Sequence, residues 1–489
     1  MTPLMQIPYE QLDNAYRLAP EIVLCASGIL IMLIDPFTSA PRKRLMGWLG
    51  FVGMLGALAA LGVSSRHAGA AYSGLVMVDG FSLFMHAIVI VVGALVMLGS
   101  FHYLDEERVQ RGEYYALILF AVTGMCILSG ANELVTAFLG LEMSSIATYI
   151  LAGFRRTALK SNEASLKYFL LGSFATAFFL YGIAMVYGAT GQTGIPAIAG
   201  VLASASPSPL LVLGVGMIFV GLGFKVVIAP FQIYAPDVYE GAPTPVAGLL
   251  ASAPKAATFA LLLRVFYTSF STVGPLWFWA VWIAAVLSMV VGNFAALTQT
   301  NVKRMLAYSS IAHAGYIMVA FAALTAVGMA AALFYLAAYA LMKLGAFLVV
   351  TELGGTGEKR LEIKDYAGLG TQQPVLAACF ALFLLSLLGL PLTGGFVGKF
   401  YAFQAGLDSR LVWLVVIAAL NTIVGAYYYL QVIVVMYFRE PQTEFPAQRT
   451  GGPLRVALMA CAIGVIYLGV FPSRVMHYAY ASAQALLSR

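Results

Sequence analysis

Fourteen predominantly apolar stretches, each about as long as a bilayer-spanning helix, follow one another along this chain. They lie near 18–35, 46–64, 76–101, 115–131, 134–154, 164–188, 209–229, 244–268, 275–299, 305–324, 327–350, 373–405, 411–438 and 454–471. A spanning helix needs roughly 20 such residues. In hydrocarbon each backbone N–H and C=O must be satisfied within its own segment, so runs of this length fold as helices. Composition agrees with the runs. Of 489 residues 61% are hydrophobic and only 10% are charged, and mean hydropathy is +0.89. A soluble domain carries roughly 25% charged residues, so a soluble enzyme, a disordered chain and a secreted disulfide scaffold are excluded. The expectation is an all-α polytopic membrane protein of about 14 transmembrane helices.

The net charge of +6 does not point to nucleic acid, because the basic residues sit in short loops between apolar runs. One set of alternating loops holds Arg42, Lys43, Arg44, Arg108, Arg111, Arg155, Arg156, Lys160, Lys303, Arg304, Lys359, Arg360, Lys364, Arg439 and Arg449. The other face, with both termini, holds Arg17, Arg66, Arg264, Arg410, Arg474 and Arg489. Basic loops favour the cytoplasm, which puts both termini on the periplasmic side. The leader before the first run is acidic and polar (Glu10, Asp13, Arg17), so that run reads as a retained helix rather than a signal peptide. Cys25, Cys126, Cys379 and Cys461 all lie in apolar runs without a CxxC pair and read as small apolar residues.

Two runs are interrupted. The seventh meets Pro230, and the twelfth breaks at Gly389-Leu390-Pro391-Leu392-Thr393-Gly394-Gly395. Proline removes a helical hydrogen bond and glycine lets the chain turn. Such breaks persist at membrane depth only where they are buried in protein or line a cavity. They are five spans apart, so the second runs opposite to the first, as in two inverted five-helix repeats. The resulting division is three N-terminal helices in 1–114, a first repeat in 115–270, a second in 271–440 and a last helix with its tail in 441–489.

Charge at membrane depth is the next signal. Glu142, Lys167, Lys225, Lys255, Lys343 and Lys399 all fall inside apolar runs, where each charge costs roughly 2.5–3.5 kcal/mol on insertion scales. Burial weakens a lysine's hold on its proton and strengthens a glutamate's, and an opposite partner reverses both effects. A repeated Glu–Lys arrangement can therefore pass protons by switching between paired and unpaired states. The alternatives are a satisfied structural role for Glu142 and Lys255, snorkelling for Lys225 and Lys399, and packing for Lys343; Lys167, a turn inside its helix, reads either with or without a direct role. His313 reads either as a satisfied core histidine or as a proton bridge between the lysines. His86 and His102 receive no role, and Asp79 reads as interfacial. The sequence offers no P-loop, no GxGxxG after a strand, and no histidines at haem or zinc spacing.

Three long strings then carry a resemblance. They are Gly223-Phe224-Lys225 through Ala229-Pro230-Phe231-Gln232 to Ala235-Pro236-Asp237-Val238-Tyr239-Glu240-Gly241-Ala242-Pro243, with Ala253-Pro254-Lys255 beyond; Asn301-Val302-Lys303-Arg304-Met305-Leu306-Ala307-Tyr308-Ser309-Ser310; and Leu390-Pro391-Leu392-Thr393-Gly394-Gly395-Phe396-Val397-Gly398-Lys399-Phe400. Together they resemble the antiporter-like membrane subunits of respiratory complex I. The opening Pro20-Glu21-Ile22 helix, Lys399 on the twelfth helix and the absence of a long lateral helix are most similar to subunits of the N type, the counterpart of mitochondrial subunit 2.

The resemblance implies proton translocation driven by quinone reduction elsewhere in the complex. Glu142 matches the family's fifth-helix glutamate, and Lys225 the broken-helix lysine that pairs with it. Lys255 and Lys399 match the later lysines, and Lys167 and His313 further members of the hydrophilic axis; Lys343 has no assigned counterpart. Family members commonly have His and Trp where this chain has Gln232 and Tyr234, and Gln232 does not titrate. The chain itself would hold no cofactor and no metal, with quinone, FMN and iron–sulfur clusters in partner subunits of the membrane and redox arms. It would sit in the bacterial inner membrane among other antiporter-like and small membrane subunits. Two other readings share the lysine pattern: a subunit of a multisubunit cation/proton antiporter, and a membrane-arm subunit whose buried charges only fix helix register.

Overall fold

The computed structural model describes residues 3–39, 42–204, 207–442, 445 and 451–487, with side chains from Glu10 onward. Arg449 and Arg489 lie outside the described residues. The chain begins with a helix over the polar leader, α1 (Pro3–Arg17), tied down where Arg17 Nε donates to His67 O at 3.0 Å. Spanning helices follow: α2 (Ala19–Ile34), α3 (Arg44–Arg66) and α4 (Gly80–Glu106). Between α3 and α4 a two-stranded hairpin, β1 (Gly69–Ala71) and β2 (Val76–Val78), pairs antiparallel with Gly69 opposite Val78. The hairpin is a small addition to a fold that is otherwise helical, as expected. It is too short to register as an alternating pattern: β1 precedes the third apolar run and β2 takes only that run's first three residues.

The next elements are α5 (Gly112–Gly130), α6 (Leu134–Ala152), α7 (Leu159–Thr190), the short α8 (Ile195–Leu202), α9 (Pro209–Val226), α10 (Ala235–Gly241) and α11 (Thr244–Thr268). The second half holds α12 (Gly274–Leu297), α13 (Val302–Ala322), α14 (Ala326–Gly354), a four-residue α15 (Leu369–Gln372), α16 (Pro374–Leu388), α17 (Gly394–Asp408) and α18 (Val412–Phe438). The chain closes with α19 (Gly452–Val470) and α20 (Pro472–Leu487). The expected tail after the last span is therefore helical, and it packs on α4, α11 and α14. Among the described residues 13 helices are long and apolar enough to span a membrane. The pair α16–α17 supplies the fourteenth span.

Capping side chains fix where spans start. Asp79 accepts from Ser82 N at 2.8 Å while Ser82 Oγ accepts from Asp79 N at 2.9 Å, a reciprocal cap on α4. Glu133 caps α6 through Thr136 N at 2.7 Å, Asn301 caps α13 through Arg304 N at 3.1 Å, and Thr325 caps α14 through Gly328 N at 3.0 Å.

Both breaks form as the sequence indicates. Helix α9 stops at Val226, with Val227 at φ +63°. In the second break Gly389 sits at φ +97°, left-handed backbone that glycine adopts without strain. Gly395 lies so close to the end of α16 that an added Cβ would stand 1.8 Å from Ser386 O. Only glycine lets the two half-helices overlap there.

Burial is unequal. In the most apolar windows of α11 and α13 94% of residues are buried, whereas α2 and α19 reach 33%. Helices α7, α12 and α18 turn large apolar side chains such as Phe174, Trp279, Leu420 and Tyr427 outward, as a lipid-facing surface requires. The innermost helices α11, α13 and α14 are the ones that carry Lys255, His313 and Lys343.

Candidate functional site: a buried lysine–tyrosine row

Lys255 on α11 is fully buried and donates to Ser310 O at 2.7 Å and to Ser310 Oγ at 2.6 Å. Ser310 Oγ shares a 2.6 Å hydrogen bond with Tyr339 Oη. Lys343 on α14, also fully buried, meets the same aromatic node: its Nζ is 5.9 Å from the Tyr339 ring centre, against 5.4 Å for Lys255. Lys343 donates to Ser309 Oγ at 2.8 Å, and Ser309 Oγ is hydrogen-bonded to Tyr429 Oη. Tyr429 Oη reaches His313 Nε2 at 3.2 Å, and His313 Nδ1 meets Tyr335 Oη at 2.9 Å. The hydroxyls and the imidazole both donate and accept, whereas the lysines only donate and the Ser310 carbonyl only accepts.

Lys399 belongs to the second break. It sits on the first turns of α17 and reaches back to Leu387 O at 3.1 Å and Leu388 O at 2.9 Å, the last carbonyls of α16. Helix C-termini carry partial negative charge, and an ammonium there is well placed. Snorkelling toward lipid headgroups is thus not what Lys399 does. Its Nζ also lies 4.6 Å from the Tyr316 ring centre. Tyr316 Oη accepts from Asn293 Nδ2 at 3.1 Å, and Tyr428 Oη donates to Asn293 Oδ1 at 3.0 Å, which brings this group beside Tyr429.

Lys225 sits at the end of α9 inside an aromatic cage. Its Nζ donates to Tyr149 Oη at 3.0 Å and lies 4.8 Å from the Tyr149 ring centre and 5.3 Å from that of Tyr168. Tyr234 stacks between Tyr168 at 5.2 Å and Phe224 at 4.1 Å. The expected Glu142–Lys225 ion pair is not formed: among the described residues no carboxylate oxygen lies within 4.0 Å of the Lys225 ammonium. Tyr149, two helical turns beyond Glu142 on the same face of α6, takes the ammonium instead. Glu142 is half-buried, and its Oε1 has no hydrogen-bond partner among the described residues. Gln232, the other departure from the family pattern, keeps a buried Oε1 in the same state.

Lys167 is not brought into the row. Its side chain is 42% exposed and binds Glu163 at 2.8 Å and Asp237 at 2.7 Å. Asp237 also receives Arg304 at 2.7 Å, and Arg304 and Lys160 reach Glu240 at 3.1 and 3.0 Å. This network closes the ends of α7 and α10. Burial works to raise the Asp237 carboxyl, but hydrogen bonds from Lys167 and Arg304 outweigh it and hold the group below its ordinary range. Lys167 lies near the start of α7, which runs from Leu159, five residues earlier than the apolar run.

Three features escaped the sequence reading. The tyrosines and serines that link the lysines were hidden because an apolar run tolerates them without comment. Arg264 and Asp79 form a buried bidentate pair, 3.0 Å on each arm, so Asp79 is not interfacial and Arg264 not a free loop charge. Glu358 gathers Lys303 at 3.0 Å, Arg155 at 3.4 Å, Thr244 N at 2.8 Å and Tyr103 Oη at 2.9 Å. Two residues expected in basic loops are therefore locked in an ion cluster.

A helical bundle of fourteen spans, with two interrupted helices and lysines buried at its centre, defines an antiporter-like membrane protein. Residues 131–425 match the family described as NADH:quinone oxidoreductase/Mrp antiporter, TM. The fold also matches a chain of the Mrp complex from Dietzia sp. DQ12-45-1b, with a TM-score of 0.86 at 20% identity over 97% of this chain and 98% of that one.

Closer sequences narrow the class. NADH-quinone oxidoreductase subunit N 1 of Solibacter usitatus is 50% identical, covering 97% of this chain and 98% of that protein. Subunit N of Trichlorobacter lovleyi is 41% identical over 97% and 98%. A chain of respiratory complex I from Thermus thermophilus is 36% identical, with a TM-score of 0.78 over 94% of this chain and 98% of that one. The chain belongs to the NADH-quinone oxidoreductase subunit N family, and it is a multi-pass membrane protein.

Proposed function

We propose that this chain translocates protons through its buried lysine row as a non-redox subunit of a bacterial NADH-quinone oxidoreductase, driven by quinone reduction in other subunits. Its partners are the other membrane-arm subunits, and FMN, iron–sulfur clusters and quinone stay with them. Both termini and the β1–β2 hairpin face the periplasm. Residues 115–270 and 271–440 act as two inverted units, with Lys225 and Lys399 at their broken helices.

The observation that carries this reading is the hydrogen-bonded run Lys343–Ser309–Tyr429–His313–Tyr335 in the most buried helices. A neutral imidazole donates at one nitrogen and accepts at the other. A proton arriving at one side of His313 can therefore leave from the other, and the hydroxyls on both sides pass it on. Lysines that lack a carboxylate partner hold their protons by hydrogen bonds and aromatic faces alone, so a modest change nearby shifts their occupancy. Lys399, bonded to the last carbonyls of a broken helix, is placed to release when that break changes shape. Glu142, on α6 beside the Lys225 cage, receives the signal that starts the sequence.

Tyr429→Phe tests this directly, because it removes one hydroxyl and keeps the ring. In inverted membrane vesicles, NADH-driven proton uptake should fall together with quinone reductase activity. Wild-type uptake and turnover would sink the relay and favour a register-fixing role for the buried charges.

A further inference from the structure

Glu21, His86 and Cys126 lie outside the lysine row, on three different helices. Glu21 is in the first turn of α2, His86 about two turns into α4 and Cys126 about one turn before the end of α5. They meet beneath the face that carries β1 and β2. Their exposures are 5%, 2% and 0%.

The hydrogen bonding fixes what the histidine presents. His86 Nε2 lies 2.9 Å from the Cys126 carbonyl oxygen. A carbonyl only accepts, so Nε2 carries the ring proton and Nδ1 of the neutral ring shows a lone pair. That lone pair faces Glu21 Oε1 at 3.5 Å. Glu21 Oε1, Glu21 Oε2 and His86 Nδ1 are all buried without a hydrogen-bond partner among the described residues. Ligand atoms from Glu21, His86 and Cys126 lie within 4.8 Å of one another. Each buried acceptor left unsatisfied costs about 1–3 kcal/mol. A proton shared between Glu21 Oε1 and His86 Nδ1 satisfies two of the three and leaves Glu21 Oε2; a cation held by both carboxylate oxygens and the imidazole satisfies all three and takes the thiol as a fourth donor.

We propose that Glu21, His86 and Cys126 form a binding site for a divalent cation of the zinc class. The donor set is one imidazole nitrogen, one sulfur and a carboxylate with both oxygens available, four donors from three residues. Sulfur and nitrogen donors select zinc-like ions over magnesium and calcium, which take oxygen ligands. One carboxylate and one thiolate cancel the charge of a dication, so the occupied site is neutral in an interior where net charge is costly. Binding expels the Cys126 thiol proton to solvent as the metal–sulfur bond forms. The 3.5 Å N–O separation is near the roughly 3.3 Å edge of a tetrahedron with bonds of about 2.0–2.1 Å. The bond from His86 to a backbone carbonyl is the outer contact that fixes the tautomer of a metal-bound histidine. Bound there, the ion pins α2 to α4 and α5. Spacing along the chain gave no sign of this site, because its members are 40 or more positions apart.

The test uses the intact complex purified from its membranes, incubated with Zn2+ alone and desalted. Zinc per chain is measured by mass spectrometry for the wild type, Cys126→Ala and Glu21→Gln, with reductase activity as the control for assembly. The wild type should retain one equivalent that both variants lose, and its zinc X-ray absorption should contain a sulfur neighbour at about 2.3 Å. Equal zinc in all three proteins overturns the site. Absence of zinc–sulfur scattering in the wild type overturns it however the variants assemble. A protonated-carboxyl infrared band in the zinc-treated wild type that Glu21→Gln removes identifies a shared proton instead and also overturns it.

Discussion

Lys343→Met separates a relay role from a packing role at the lysine for which the family resemblance assigned no counterpart. Methionine fills a similar volume without the charge, and exchanging a buried charge for a packed apolar group is often neutral or stabilising. Assembly should therefore be normal. Two electrostatic losses follow. The charged hydrogen bond to Ser309 Oγ, 2.8 Å long, is worth about 1.5–3 kcal/mol. The second loss is coupling to Lys255. Both ammoniums lie within 6 Å of the Tyr339 ring centre, at 5.4 and 5.9 Å, so they are no more than about 11 Å apart. At an effective dielectric of about 20 that separation gives at least about 1.5 kcal/mol between the two charges. Either loss is at least about a factor of ten in an equilibrium or rate. NADH-driven proton uptake and quinone reductase rate in inverted vesicles should both fall roughly tenfold, and Lys343→Arg should recover part of each. Wild-type values for both quantities in the methionine variant would refute a relay through Lys343.

Glu358→Gln should destabilise the protein by about 3–5 kcal/mol, since it leaves the fully buried Lys303 without its carboxylate; thermal melting in detergent reads this out. Burial works to raise the Glu358 carboxyl, but Lys303, Thr244 and Arg155 outweigh it and hold it below its ordinary value of 4.5. A lowered carboxyl contributes stability that is complete above its unfolded value and disappears as pH falls through the folded one. The wild-type melting temperature should therefore drop more steeply than the variant's below about pH 4.5, and parallel pH curves would contradict this. Asp79→Asn should cost about 3–5 kcal/mol by stranding Arg264, while Asp79→Asn with Arg264→Met, which keeps an N-cap on α4, should recover most of it; no recovery in the double variant would mean the pair does more than neutralise itself. Gly395→Ala should disturb the second break, because its Cβ would meet Ser386 O at 1.8 Å. Unchanged stability and pumping in that variant would show that the two half-helices separate without cost.

Most of the fold was legible because hydrocarbon imposes one rule on every segment. A run of about 20 apolar residues has to be a helix, whatever its neighbours do. The same rule made Lys225, Lys255, Lys343 and Lys399 conspicuous, since charge in such a run needs a reason. It said nothing about Tyr149, Ser309, Ser310, Tyr339 or Tyr429, which sit in apolar helices at little cost. It also set Lys167 among the buried charges, whereas its side chain is 42% exposed and paired with Glu163 and Asp237.

The sequence by itself determined the membrane class, the number of spans, the two breaks and the identities of the buried lysines. All of these follow from hydrophobicity and backbone chemistry within a single segment. Tertiary structure decided which groups the lysines face. It gave Lys225 to Tyr149 rather than to Glu142, joined Lys343 to His313 through two hydroxyls, turned Lys399 onto the carbonyls of its own broken helix, and brought Glu21, His86 and Cys126 together. Those pairings depend on how helices far apart in sequence rotate against one another, and no periodicity within one helix encodes that rotation.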